Sequence, residues 1–167
     1  MITQEYVEEK LFKWMKTFVE QPHPLMNNWP VCPFARQARI NNNILIRPGH
    51  DPLTDGLDLM ENYDWSKEVV IFWYPYDPIA WSGERFVARV EELNKILLPK
   101  DIVALEDHPD VEEIVSGIKM NFEYFPLLIL QRNSKLNQAA DQLRAKGYYD
   151  TWSQKDLDKI VTWRYNE

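Results

Sequence analysis

The sequence predicts a layered α/β domain, a sheet of about four strands with helices packed on it. Three observations predict it. From residue 44 onward, short β-branched and aromatic runs alternate with longer amphipathic stretches, the pattern of sheet and helix layers. The run at residues 126–130 (PLLIL) is apolar throughout, as expected of a strand covered on both faces. The length of 167 residues fits one domain with a sizeable core of its own. A ferredoxin-like α+β sandwich is the competing arrangement, because the same spacing permits antiparallel pairs.

Val7, Leu11, Trp14, Met15 and Phe18 share one face at helical spacing, so residues 1–20 read as an N-terminal helix. Residues 21–33 hold Pro22, Pro24, Pro30 and Pro33 and form a connection, with Trp29 and Val31 able to pack on the body. Residues 34–167 make up that body. Pro33 at a first helical position predicts a short helix over 34–40. Strands are predicted at 44–47 and 69–74. The intervening 53–63 reads as a loop with a short helix. Ser82 caps a long helix carrying Phe86, Val90, Leu93 and Leu97. A third strand follows at 102–105. Asp110 then caps a helix with Val111, Ile114, Val115 and Ile118, and the fourth strand comes at 126–130. Two helices close the chain, the first capped by Ser134 and stopped by Gly147, the second opened by Ser153 with Asp156 three residues on.

Composition excludes several functions. Lys and Arg number 19 against 26 Asp and Glu, a formal charge of −7, which opposes a nucleic-acid partner. The longest apolar runs fall far short of the ~20 residues that cross a bilayer, so no membrane association is expected. The start is charged within five residues and lacks a basic-then-apolar leader, so a reducing, cytoplasmic setting is expected. The one cysteine, Cys32, has no internal disulfide partner. Phosphate-binding glycine loops and the GxSxG elbow are missing.

Four places carry candidate chemistry. With Pro33 as first helical residue, Cys32 sits at a helix N-cap, where free amides and the helix dipole favour a thiolate. Arg36 and Arg39 would add positive field. The alternative is a small apolar residue packed between Val31 and Phe34. His108, between Asp107 and Asp110 after the third strand, reads either as an acid/base group or as an exposed loop residue. His50, after Pro48-Gly49, joins the substrate-binding candidates. With His23, His108 and Cys32 it also offers metal donors, although the spacing matches no standard signature and no cofactor is expected. Arg132 ends the fourth strand as a carboxylate or phosphate clamp, or as a surface arginine lying on apolar neighbours. Trp73 and its aromatic neighbours Phe72, Tyr74, Tyr76 and Trp81 line a pocket for a planar ligand, or belong to the core.

The order of Cys32-Pro33-Phe34-Ala35, His108-Pro109 and Tyr124-Phe125-Pro126-Leu127-Leu128-Ile129-Leu130-Gln131-Arg132 resembles an uncharacterised bacterial family of domains of unknown function. That family has a CPFA box after its first helix, a mid-chain Phe-His-Pro, and a late Asn-Arg-Ser-Pro-Tyr-Pro-x-Leu-x-Leu-Leu-Arg segment. The match runs as spaced motifs over residues ~7–132. Asp107 stands where the family has Phe, and Asn121-Phe122-Glu123-Tyr124 replaces its polar run. The resemblance implies one domain in which Cys32, His108 and Arg132 converge.

The leading functional expectation is an enzyme acting on a small anionic or aromatic molecule. Cys32 is its thiolate, His108 and Asp107 its acid/base pair, and Arg36, Arg132, His50 and Trp73 its binding groups. The alternative is a non-catalytic binding or accessory protein gripping a protein partner through exposed aromatics near residues 73–81 and 148–152, with self-association left open. A metal-dependent enzyme using His and carboxylate ligands is the third.

Overall fold

The computed structural model describes residues 1–165. Strand β1 (Ile44–Pro48) runs parallel to β2 (Val69–Trp73), the two joined by helix α3 (Pro52–Asn62). Helix α4 (Gly83–Leu97) leads from β2 to β3 (Ile102–Asp107). The last strand, β6 (Leu127–Arg132), inserts between β2 and β3 and is antiparallel to both, giving the order β1-β2-β6-β3. β2 and β3 therefore point the same way, and α3 and α4 make two like-handed crossovers on one face. The parallel β1–β2 pair makes the sheet mixed and sets it apart from the ferredoxin-like arrangement.

Alternation along the strands assigns the two faces. Val70, Phe72, Ile102, Ala104, Leu128 and Leu130 face α3 and α4, where they pack on Phe86, Val90, Leu93 and Leu97. Ile44, Ile46, Ile71, Trp73 and Leu127 face helix α1 (Gln4–Trp14), which contributes Val7 and Leu11. α1 runs on through a π-helical turn, Met15–Val19. A third apolar cluster joins Met26 of the proline-rich stretch to Ile118, to Leu143 of α5 (Asn133–Ala145) and to Tyr148. The connection over 21–33 thus packs on the body, and Tyr148 Oη donates to the Val31 carbonyl.

Four local expectations are corrected. Helix α2 spans Ala35–Ile40 with Phe34 at its N-cap, so neither Cys32 nor Pro33 begins it. Residues 52–62 are a full 11-residue helix, because Asp51 caps it by accepting from Thr54 N and Pro52 fits the first turn. α5 begins one residue before Ser134, whose N–H and hydroxyl instead donate to Asp101. The helix expected after Asp110 is a two-strand hairpin, β4 (Ile114–Val115) and β5 (Ile118–Lys119). Ser116 and Gly117 turn it with positive φ. Asn121 binds its base, donating to the His108 and Val111 carbonyls and accepting from Glu113 N. These bonds give the segment's backbone partners outside a helix, which helical periodicity alone does not reveal.

β3 is an edge strand, and its outer side is closed by one buried side chain. Asn94 of α4 donates to the Ala104 carbonyl and accepts from Ala104 N–H, both at 2.8 Å. The amide thus takes the place of a neighbouring strand. Asn94→Leu keeps volume but leaves both Ala104 groups buried and unpaired. It is expected to lower the unfolding free energy by about 2–4 kcal/mol in urea titrations. Asn62→Ala, which removes only an exposed bond to Asp58, should change it by less than about 0.5 kcal/mol.

Candidate functional site

Alternation turns the backbone of Ile102, Ala104 and Glu106 outward from the sheet edge. Asn94 occupies the Ala104 rung. Beyond it the edge opens onto a cleft of about 730 Å³. α4 forms one wall through Val87 and Glu91. Trp14 and Phe18 from the end of α1, together with Val31 and Cys32, form another. The far side is closed by Tyr148, Trp152 and helix α6 (Gln154–Ile160), which Ser153 caps by accepting from Asp156 N. Glu106 and Asp107 are consecutive on a strand and point to opposite faces, yet both line the cleft, because it wraps around the edge.

The site's electrostatics are dominated by carboxylates. Desolvation pushes Asp107 up to about 7, against two weak bonds from Phe122 N at 3.1 and 3.2 Å and with the charge of Glu113 adding to the rise. Burial likewise raises Glu106 and Glu113, each only partly offset by Lys159. None of the three forms an ion pair among the described residues. The cause is common to all three: apolar and aromatic walls displace water that would otherwise solvate the anion.

Cys32, His108 and Asp107, the three residues expected to carry catalysis, all line this cleft, whereas Arg132, which the resemblance placed with Cys32 and His108, does not. The chemistry of the three differs from that expectation. Cys32 is exposed, but the surrounding walls desolvate its sulfur and raise the thiol above its ordinary value. The amides of Phe34 and Ala35 offset this only in part, since a six-residue helix starting three positions later supplies little dipole. His108 is 1 % exposed. Its Nε2 pairs with the Trp81 carbonyl at 2.7 Å, and its Nδ1 accepts from Asp110 N at 3.0 Å. This is a neutral imidazole with the proton on Nε2, pinning the loop before α4 to the end of β3. Both nitrogens are occupied by backbone, which leaves neither free for a ligand in the cleft.

The binding candidates lie elsewhere. Arg132 sits 4.9 Å from the Trp65 ring and reaches the Lys100 carbonyl, the surface alternative of the sequence reading. Arg36 and His50 are exposed and outside the cleft lining. Trp73 is a core residue, its Nε1 donating to Gln4 Oε1. Tyr74 and Tyr148 are buried, and Trp81 and Trp152 half-buried, so the two aromatic segments are mainly interior surface. Tyr76 remains outside at 45 % exposure, its hydroxyl donating to Asp110. Among the described residues no three His, Cys, Asp or Glu side chains are grouped to hold a metal. No helix among them is long and apolar enough to cross a membrane.

Sequence reasoning missed Glu106 and Glu113. The available signal was an acidic pair, Glu106-Asp107, continuing an apolar strand, where a charge is expensive unless an opening receives it. Comparison with family models, with curated proteins and with solved structures gave no match for this chain.

Two outcomes follow from these shifts. Asp107 keeps its proton in the fold up to about pH 7 but loses it near 3.8 when unfolded. The unfolded chain therefore binds fewer protons over that range, and stability falls as pH rises through it. Asp107→Asn should remove this slope and raise stability above pH 7 by roughly 2–4 kcal/mol, read from urea midpoints at pH 5 and pH 8. Separately, the pH profile of Cys32 alkylation should be half-maximal above the ordinary thiol value of ~8.5. A midpoint near neutrality would contradict the desolvated thiol.

Proposed function

We propose that the protein binds a small organic molecule in the cleft at the open edge of β3. One observation carries the reading. A concave volume of about 730 Å³, within the range of ligand pockets, joins aromatic walls to a few convergent carboxyl groups. A small-molecule ligand was part of the expectation from sequence. The arginines that made it anionic are absent from the cleft, and acidic groups stand there instead.

An enzyme at the same place is the second reading, favoured by Asp107. A carboxyl group titrating at about 7 is matched to proton transfer at neutral pH. In this reading Asp107 exchanges a proton with the bound molecule, Cys32 lines the same cleft as a neutral thiol, and His108 positions the loop. Kinship with the family carrying the CPFA box belongs to the same proposal; it is supported by Cys32 and His108 lining one cleft, and opposed by Arg132, the third residue expected to converge there, lying outside it.

The test is a fragment screen by ligand-observed NMR, repeated on Val87→Trp, which fills the wall contributed by α4. Fragments that bind the wild-type protein should lose at least about ten-fold in affinity in the variant. Hits that persist unchanged would place binding elsewhere and overturn the cleft reading. If a hit is turned over, Asp107→Asn should abolish turnover while His108→Gln lowers stability first.

A further inference from the structure

The cleft is unbalanced in charge in a way that specifies its ligand. Glu91, Glu106, Asp107, Glu112 and Glu113 face it, against Lys95 and Lys159. Both lysines are exposed and free to extend into water, whereas Glu106, Asp107 and Glu113 are partly withdrawn from it. A carboxylate held among apolar walls either keeps a proton or takes a cation. The walls themselves favour the second course. Trp14, Phe18, Tyr148, Trp152 and Trp163 present aromatic surface to the same volume, and such rings attract a desolvated cation. The remaining polar side chains of the lining, Cys32, Asn94, His108 and Asn121, add no positive charge to oppose a cation.

Resting on the reading of the cleft as a ligand site, we propose that its ligand is a singly charged organic cation with a flat apolar body, such as an aryl-alkyl amine. The ammonium sits beside Asp107 and Glu113, which share Asn121 as a neighbour, and the body lies against the aromatic wall of Tyr148 and Trp152. Binding then draws the carboxyl proton off Asp107, and that proton passes to solvent while the ammonium keeps its own.

Three indoles that share one body and differ in charge test this: tryptamine, tryptophol and indoleacetate, titrated calorimetrically into the whole protein. Tryptamine is expected to bind at least about ten-fold tighter than tryptophol, with indoleacetate weakest. At pH 6.5, heats in two buffers of different ionisation enthalpy should show proton release with tryptamine and none with tryptophol. Asp107→Asn, which keeps an acceptor for Phe122 N, and Glu113→Gln should each bring tryptamine close to tryptophol while leaving tryptophol unchanged. Equal binding of tryptamine and tryptophol, or preference for indoleacetate, overturns the charge assignment and leaves the cleft as a ligand site. Failure of all three to bind at millimolar concentration overturns both.

Discussion

The outer edge of β3 is the constraint on which the rest of this structure turns. An edge strand carries backbone donors and acceptors that must find partners or invite another chain. Here a single buried amide, Asn94, takes the partner's role at Ala104, so α4 is fastened to the sheet by hydrogen bonds as well as by its apolar face. Two residues further on, at Glu106, no side chain from another element takes that role among the described residues. The chain leaves the sheet at His108, makes its hairpin excursion and returns as β6, while the C-terminal helix lies across the gap. The cleft is the space between these elements.

That arrangement explains why acidic residues can occupy a strand end. Glu106 and Asp107 would oppose folding in a closed core, since an unpaired charge loses its hydration there. At the open edge they are half-withdrawn from water, which raises their pKa without removing the route to solvent. Helix α6 brings Lys159 near enough to influence Glu106 and Glu113 but not to pair with them. The folded chain thus retains unspent negative charge beside aromatic surface, an arrangement that works against its own stability at neutral pH. Such a compromise is characteristic of binding and catalytic sites.

His108 shows how far a residue's meaning depends on its neighbours. In sequence it sits among carboxylates after a strand, a setting suited to acid/base work. In the fold it touches neither carboxylate through its ring nitrogens; both are bonded to backbone, and the imidazole tilts against Phe86. Its partners come from Trp81, 27 positions earlier, and from the local turn at Asp110. Cys32 was reinterpreted by a smaller displacement, the start of α2 at Ala35 rather than Pro33, which moves the helix dipole away from the sulfur.

Local pattern was enough to determine the four strands of the main sheet, the long helix capped by Ser82, and the central place of the apolar strand over 127–132. Each rests on periodicity, capping chemistry or continuous apolarity within a few residues. The resemblance implied that Cys32, His108 and Arg132 converge; Cys32 and His108 do line one cleft, and Arg132 lies on Trp65 outside it. Tertiary structure alone decided the rest. The insertion of β6 between β2 and β3, the hairpin at 114–119, the stacking of Arg132 on Trp65 and the gathering of Glu113 with Asp107 all depend on contacts between residues distant in the chain. The physical reason is that helix and strand propensities act over one or two turns of chain. Desolvation and charge are set by whatever the completed fold places within a few ångströms, and no window of sequence contains that information.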